Sequence, residues 1–389
     1  MKTVGIITVH HYGNFGSALQ AYASQKVFEK LGYDTYIIDY RSPNVYYATR
    51  RYMNYDDRDD SFYHKLERRS INPLKWAARK VLSEPHIACF LYRGLGIKKG
   101  VSLSVFWFEN LRMTRCYNSL KELYINPPRF DIYVVGGDQL WNTYITYNNP
   151  AFFLTFADAE AKKISFSTSI GIPAVPDEAL SVFKRGIANL SSILLREEEG
   201  VEYLHSLGFK ADRVLDPTLM LTKEEWGLVQ DKNFKLPYEK YILAYFLDPT
   251  NWTAELLETV RKQTGLPVIV IGKRGTSKCY FYVGNIEVAT FLTLFAYAEI
   301  VVTNSFHGMA FTIIFEKVLV ATFRSEESET SMNSRHRNIV NLFDLSSYLY
   351  DSTNFSPDKL SYQMDYTKIG GLLECYRKQS LDLLKKALQ

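Results

Sequence analysis

Short apolar runs alternate along this chain with longer segments that carry apolar residues on one helical face. Val4-Gly5-Ile6-Ile7-Thr8-Val9 is apolar and ends in polar residues and glycines, the pattern of a buried strand. A helix is predicted over 17–31: Ala18, Ala21, Tyr22, Val27, Phe28 and Leu31 line one broad face, and Gly32 stands where a helix-ending glycine belongs. Tyr36-Ile37-Ile38-Asp39 reads as the next strand, so the opening unit is β-loop-α-β with a right-handed parallel crossover. From 41 to about 125 there is no clean alternation, and the segment reads as helical in pieces. Strand patterns return at 132–135, 164–169 and 192–195, with helices near 177–190 and over 197–207. After Asp216-Pro217-Thr218-Leu219 the rhythm restarts. Strands at 241–247, 268–271, 300–303 and 318–322 alternate with helices at 253–264, 288–297 and one starting at His307, and a last helix is predicted over 369–388.

Strands alternating with helices imply parallel sheets. Two such runs predict an α/β protein of two Rossmann-like domains facing across a cleft. The first domain would span 1–215, with an aromatic, basic insertion at about 41–125. The second would span 216–360, and the helix at 369–388 would pack back on the first. A length of 389 residues fits two cores better than one.

Composition adds little to this picture until charge is located. Apolar residues at 47% and charged residues at 23% are ordinary for a soluble globular protein. No stretch approaches the roughly 18–20 apolar residues of a membrane span. The N-terminus runs straight into a strand with no signal-peptide core, so a cytoplasmic location is expected. Cys89, Cys116, Cys279 and Cys375 form no CxxC pair and no zinc-like cluster, and reduced thiols are expected. The net charge is +4, yet residues 41–115 hold 15 Lys/Arg against 7 Asp/Glu, so that stretch carries +8 and the rest −4. Aromatics at 15% suit a protein that contacts sugars.

Ligands of parallel sheets sit beyond the carboxyl ends of strands, and four such places carry polar residues or glycines. His10-His11-Tyr12-Gly13-Asn14-Phe15-Gly16-Ser17 links the first strand to a helix start that favours an anion, although it lacks the GxGxxG of a nicotinamide site. Read alone, it is equally a tight turn with a cap. Gly136-Gly137-Asp138-Gln139-Leu140-Trp141-Asn142 ends a strand with an acid, an amide and a ring, groups that hold sugars, or it is an ordinary strand-to-helix turn. Arg196 closes an apolar strand just before Glu197, Glu198 and Glu199. Its guanidinium suits a carboxylate or phosphate, or a pairing with the adjacent acids. Thr303-Asn304-Ser305-Phe306-His307-Gly308 places a histidine at a helix start, where an imidazole can exchange protons near neutral pH, although a lone histidine is more often structural. His64, His86, His205 and His336 stand in less telling contexts.

These segments, taken together and in order, resemble the polysaccharide pyruvyl transferase family. Gly13-Asn14-Phe15-Gly16, the run 136–142, Arg196-Glu197, Asp216-Pro217-Thr218-Leu219 and Ser305-Phe306-His307-Gly308 match its landmarks from Gly5 to about Leu345. The resemblance implies a two-domain fold like GT-B glycosyltransferases and an enzyme that forms a pyruvate ketal on a sugar, with phosphoenolpyruvate as a substrate and no cofactor or metal. His307 would be the catalytic acid/base. Arg196, Ser305, Phe306 and Gly308 would bind the donor, and Asn14, Phe15, Gly16, Gly137, Asp138, Gln139 and Trp141 the acceptor. Well-studied members carry Arg-Leu-His where this chain has Ser305-Phe306-His307, so Arg335 and Arg337 are the candidates to meet the donor's charge, ahead of Lys273 and Arg274. The acceptor would be a sugar of a bacterial surface polysaccharide, such as capsule or exopolysaccharide of the cell envelope, or its lipid-linked oligosaccharide precursor. Peripheral contact with the inner face of the cytoplasmic membrane would then run through residues 65–100, where Arg68, Arg69, Lys75, Arg79, Lys80, Lys98 and Lys99 are interleaved with Trp76 and Tyr92. A solvated basic face is the plainer reading of the same residues. A GT-B glycosyltransferase using a nucleotide sugar and a non-catalytic glycan-binding homologue are the rival readings. Nucleic-acid binding is disfavoured by Asp56, Asp57, Asp59 and Asp60 within the basic stretch.

Overall fold

The computed structural model describes residues 1–10, 14–41, 87, 90–95, 102–272, 275, 277–324, 333–353 and 355–389. The chain divides into two compact units, Met1–Met220 with Lys378–Gln389, and Leu221–Arg377.

The first unit is built on six parallel strands: β1 (Thr3–Ile7), β2 (Asp34–Ile38), β3 (Ile132–Asp138), β4 (Lys162–Thr168), β5 (Leu194–Leu195) and β6 (Asp212–Arg213), in the order β2-β1-β3-β4-β5-β6. β1, β3 and β4 are buried almost throughout, which is why they read as near-continuous apolar runs. The helix Phe15–Lys30 starts on an Asn14 cap and is followed by Gly32. Ser17, Gln20, Ser24 and Gln25 on it are buried along with its apolar face. Trp141 stacks on Phe153 at 6.0 Å, and Phe183 meets both rings edge-on, forming the centre of one core.

The second unit repeats the plan. β7 (Ile242–Tyr245), β8 (Val268–Ile271), β9 (Tyr280–Val283), β10 (Ile300–Thr303), β11 (Val318–Thr322) and β12 (Leu349–Tyr350) form a parallel sheet in the order β12-β11-β10-β7-β8-β9. The helix Phe306–Ile314 is buried along its whole length. The helix Tyr366–Leu388 begins with the second unit, where the Tyr366 hydroxyl donates to the Thr312 carbonyl at 3.2 Å. Its last turns belong to the first unit, where the Leu215 amide donates to Ser380 Oγ at 3.0 Å.

Among the described residues, the strands β6, β9 and β12, the short helices Thr143–Thr146 and Lys223–Gly227 and the longer helix Ser334–Phe343 are not in the sequence reading. β6 is a polar dipeptide, β9 is a half-exposed edge, and the longer helix opens on Ser-Arg-His-Arg, so none of these shows the apolar periodicity that marks the others.

Candidate active site

In the first unit the carboxyl ends of β1, β3 and β5 bring three of the sequence landmarks together. Asn14 Oδ1 accepts from the Gly16 amide at 2.9 Å, so its side chain serves as the helix cap, beside Phe15 at the first helical position. One turn on, Ser17 Oγ donates to Asp138 Oδ2 at 3.0 Å, and the Gln139 amide donates to Asp138 Oδ1 at 2.9 Å. Gly137 and Asp138 both take left-handed backbone, with φ of 66° and 73°. A Cβ on Gly137 would lie 1.7 Å from Gln20 Oε1, so only glycine fits against the helix there. Gln139 is buried, and its amide donates to the Gly171 carbonyl at 3.4 Å.

Arg196 lies where β5 ends, and 1% of its side chain is exposed. Its Nε donates to Glu197 Oε1 at 2.7 Å and its Nη1 to Asp216 Oδ2 at 2.8 Å. Asp216 Oδ1 in turn accepts from the Thr218 amide at 2.9 Å and the Thr218 hydroxyl at 2.7 Å. Burial opposes the guanidinium charge, but Glu197, Asp216 and Asp138 outweigh it and raise the pKa above the ordinary arginine value. Arg196 sits in a buried Glu-Arg-Asp triad, which joins the landmarks Arg196-Glu197 and Asp216-Pro217-Thr218, and its assignment to the donor stays a proposal. The expectation for Trp141 is corrected. Its ring is fully buried and its indole N–H donates to the Phe152 carbonyl at 2.9 Å, so it offers no face to a sugar.

One cluster escaped the sequence reading. His10 Nε2 lies 3.0 Å from Asp39 Oδ1, and Arg41 bonds both oxygens of that carboxylate, at 3.1 Å and 3.0 Å. Burial raises the Asp39 pKa, yet the bonds and charges of His10 and Arg41 prevail and hold it well below the usual carboxylate range. Both residues end strand regions, and that was the available signal. The β-loop-α-β pattern predicts that the two strands run parallel, but not the register that brings the end of β1 beside that of β2.

In the second unit β10 ends at Thr303 and the helix Phe306–Ile314 begins almost at once. Ser305 Oγ accepts from the Gly308 amide at 3.3 Å as the helix cap. A Cβ on Gly308 would lie 2.3 Å from Thr303 Oγ1, so the glycine permits the tight strand-to-helix return. Phe306 is buried, and its ring meets that of His307 edge-on at 5.2 Å. His307 is in the first helical turn with 6% of its surface exposed. Burial pushes the Tyr245 phenol up to about 12, against the opposing effect of a hydrogen bond with Ser305.

Arg335 and Arg337 lie in the first turn of the helix Ser334–Phe343, Arg335 buried and Arg337 partly so. His336 between them is buried, and its Nε2 lies 2.8 Å from the Asn304 carbonyl oxygen. That bond joins the start of the helix carrying Arg335 and Arg337 to the turn that precedes His307. Lys273, Arg274, the loop residues 11–13 and the basic stretch 42–86 lie outside the described residues. Among the described residues no three His, Cys, Asp or Glu side chains are arranged to hold a metal ion, and no helix is long and apolar enough to cross a membrane.

Among solved structures, UDP-GlcNAc 2-epimerase from Methanocaldococcus jannaschii is similar at a TM-score of 0.50 and 11% identity, over 96% of this chain and 92% of that one. This likeness, with the two parallel sheets, shows an α/β fold of the GT-B type. UDP-GlcNAc 2-epimerase from Neisseria meningitidis aligns at 0.45 and 10% identity over 99% of this chain and 100% of its own. ADP-heptose lps heptosyltransferase II from E. coli aligns at 0.39 and 10% over 96% and 99%. No curated protein matches the sequence. The model of the family described as polysaccharide pyruvyl transferase matches residues 14–321, from the Asn14 cap through the His307 turn to the end of β11, and the chain belongs to that family.

Proposed function

We propose that this transferase moves the enolpyruvyl group of phosphoenolpyruvate onto two hydroxyls of a sugar, forming a pyruvate ketal and releasing phosphate. The observation that supports the reading is the 2.8 Å hydrogen bond by which the helix carrying Arg335 and Arg337 reaches the turn just before His307. Cations in the first turn of a helix oppose its dipole. Two arginines there would offer guanidinium donors to a bound anion. This is how the donor's charge would be met without the arginine that Ser305 replaces.

The chemistry asks for one group that gives and takes protons. The methylene carbon of the donor takes a proton and becomes a methyl group. The former enol carbon is attacked by one sugar hydroxyl, which loses its proton. Phosphate then leaves with the electrons of the C–O bond, and a second hydroxyl closes the ketal and loses its proton. One proton is consumed and two are released, the extra one going to phosphate. His307 is the group assigned to this traffic. General acid/base catalysis contributes roughly 10²- to 10⁴-fold, so H307A should lose that much turnover while keeping the wild-type melting profile. Wild-type activity in H307A would end the assignment. The reaction itself is tested by mass spectrometry of candidate glycans, where the proton-coupled ketal formation assigned to His307 gives a gain of about 70 Da. Nucleotide release from a sugar nucleotide, with no phosphate from phosphoenolpyruvate, would favour a glycosyltransferase instead.

The acceptor is proposed to be a surface-polysaccharide unit or its lipid-linked precursor. The +8 stretch at 41–115 is proposed to bring the enzyme to anionic headgroups, each basic group contributing about 1 kcal/mol near such a surface. Sedimentation with anionic vesicles should fall as salt rises, and equal recovery in the supernatant with neutral and anionic vesicles would refute this part alone.

A further inference from the structure

We propose that His336 is a positioning residue for the reaction, a neutral imidazole that places His307 by donating a hydrogen bond to the carbonyl of Asn304. The inference rests on the acid/base reading of His307 and adds a second histidine with a different task.

The strand-to-helix turn that carries His307 is tied down one residue at a time. Thr303 Oγ1 donates to the Tyr245 carbonyl at 2.6 Å and accepts from the Ser305 amide at 3.1 Å. Asn304 Oδ1 accepts from the Leu247 amide at 2.9 Å, and its Nδ2 donates to the Asp248 carbonyl at 3.3 Å. Ser305 caps the helix through the Gly308 amide. These bonds fix the turn to its own sheet. The bond from His336 is of another kind, because it reaches the turn from the helix Ser334–Phe343.

The bond also fixes the state of the ring. A carbonyl oxygen only accepts, so Nε2 carries the proton and donates. In the neutral ring Nδ1 is then a bare acceptor, and it is buried without a hydrogen-bond partner among the described residues. An unmet buried acceptor costs stability that a leucine or phenylalanine of similar bulk would not. The imidazole is therefore a poor choice for packing, and what it offers in exchange is the donor at Nε2. Burial, the charge of Arg335, and those of Arg324 and Arg337 favour the neutral ring, with only the Asn304 bond opposing, and hold its pKa down to about 3. His336 thus stays a fixed, uncharged donor across the range in which His307 would exchange protons.

Three variants separate placement from packing. In H336Q the amide nitrogen can reach the position of Nε2 and donate. In H336L the bulk remains and the donor is gone. In H336N the amide is too short to reach the carbonyl. H336L and H336N should lose about 10²-fold in kcat for ketal formation with KM changed by less than about 3-fold, as expected when a reacting group is misplaced rather than substrate binding lost. H336Q should recover most of that loss. The ¹⁵N-histidine signals of His307 should move in H336L and H336N and return in H336Q. Unchanged kcat and unchanged His307 signals in H336L would overturn the proposal, as would equal impairment of H336Q and H336L. Wild-type turnover in H307A would overturn the acid/base reading on which the proposal rests. The signals need no turnover, so they still decide whether His336 places His307.

Discussion

At the scale of single residues, strain and charge gather at the strand ends. β3 and β4 pair Gly136 with Phe166 and Asp138 with Thr168, so Gly137 and Ser167 fall opposite each other in a break of the register. Both are left-handed, and Ser167 is held at φ 57° with its hydroxyl buried and without a hydrogen-bond partner among the described residues. A residue with a Cβ costs roughly 1–2 kcal/mol in that conformation. S167G should therefore stabilise the protein by about 1 kcal/mol in urea unfolding, with the entropy of glycine offsetting part of the gain. G137A should do the reverse, losing about 2 kcal/mol or more, because its new methyl group meets Gln20, which is itself bonded to Thr8 and Val9. His336 sets a pH dependence whose sign is fixed by its lowered pKa. The unfolded ring takes a proton below about 6.5, while the folded ring stays neutral down to about 3. The contribution is whole above 6.5 and is lost as pH falls toward 3, with a slope of about 1.4 kcal/mol per pH unit for one proton. Chemical unfolding at pH 7, 6, 5 and 4 should show this slope reduced in H336Q.

At the scale of elements, the buried parallel strands were legible because burial on both faces leaves a continuous apolar word, as in β1, β10 and β11. Helices were legible where a cap and a glycine bracket an apolar face, as Asn14 and Gly32 do. Edge strands were not, since β9 carries half-exposed residues and β6 and β12 hold two residues each. The landmark residues were legible as positions but not as directions. Gly-Gly-Asp-Gln-Leu-Trp marks a turn, yet whether Trp141 faces solvent or the Phe153–Phe183 core depends on elements far along the chain. Arg196 is the same case, its partner Asp216 being supplied by the 3₁₀ turn Pro217–Met220 and the residue before it. Removing one member of a buried ion pair leaves the others uncompensated, at a cost of about 3–5 kcal/mol. R196M should fall in that range by urea unfolding, and so should D216N, whose single amide oxygen can accept from Arg196 or from Thr218 but not from both, with its NH2 left facing the other donor.

At the scale of the whole molecule, the first unit is discontinuous along the chain. The first unit takes in Met1–Met220 and then, after the entire second unit, Lys378–Gln389. In that last stretch Leu384, Ala387 and Leu388 are buried, and Ser380 receives the Leu215 amide. Truncation before Lys378 should therefore destabilise the first unit more than the second. Hydrogen exchange should rise in β5 and β6 while β10 and β11 stay protected. Unchanged protection around Leu215 in the truncated chain would contradict this account.

The split has a consequence for synthesis in the cell. A ribosome makes the first unit's strands early, but the helical turns beyond Lys378 that complete it emerge only after the second unit has been translated. During that interval apolar surface waits for a covering segment that does not yet exist. A stop codon or a stalled ribosome just before Lys378 would release a chain with a finished second unit and an unfinished first.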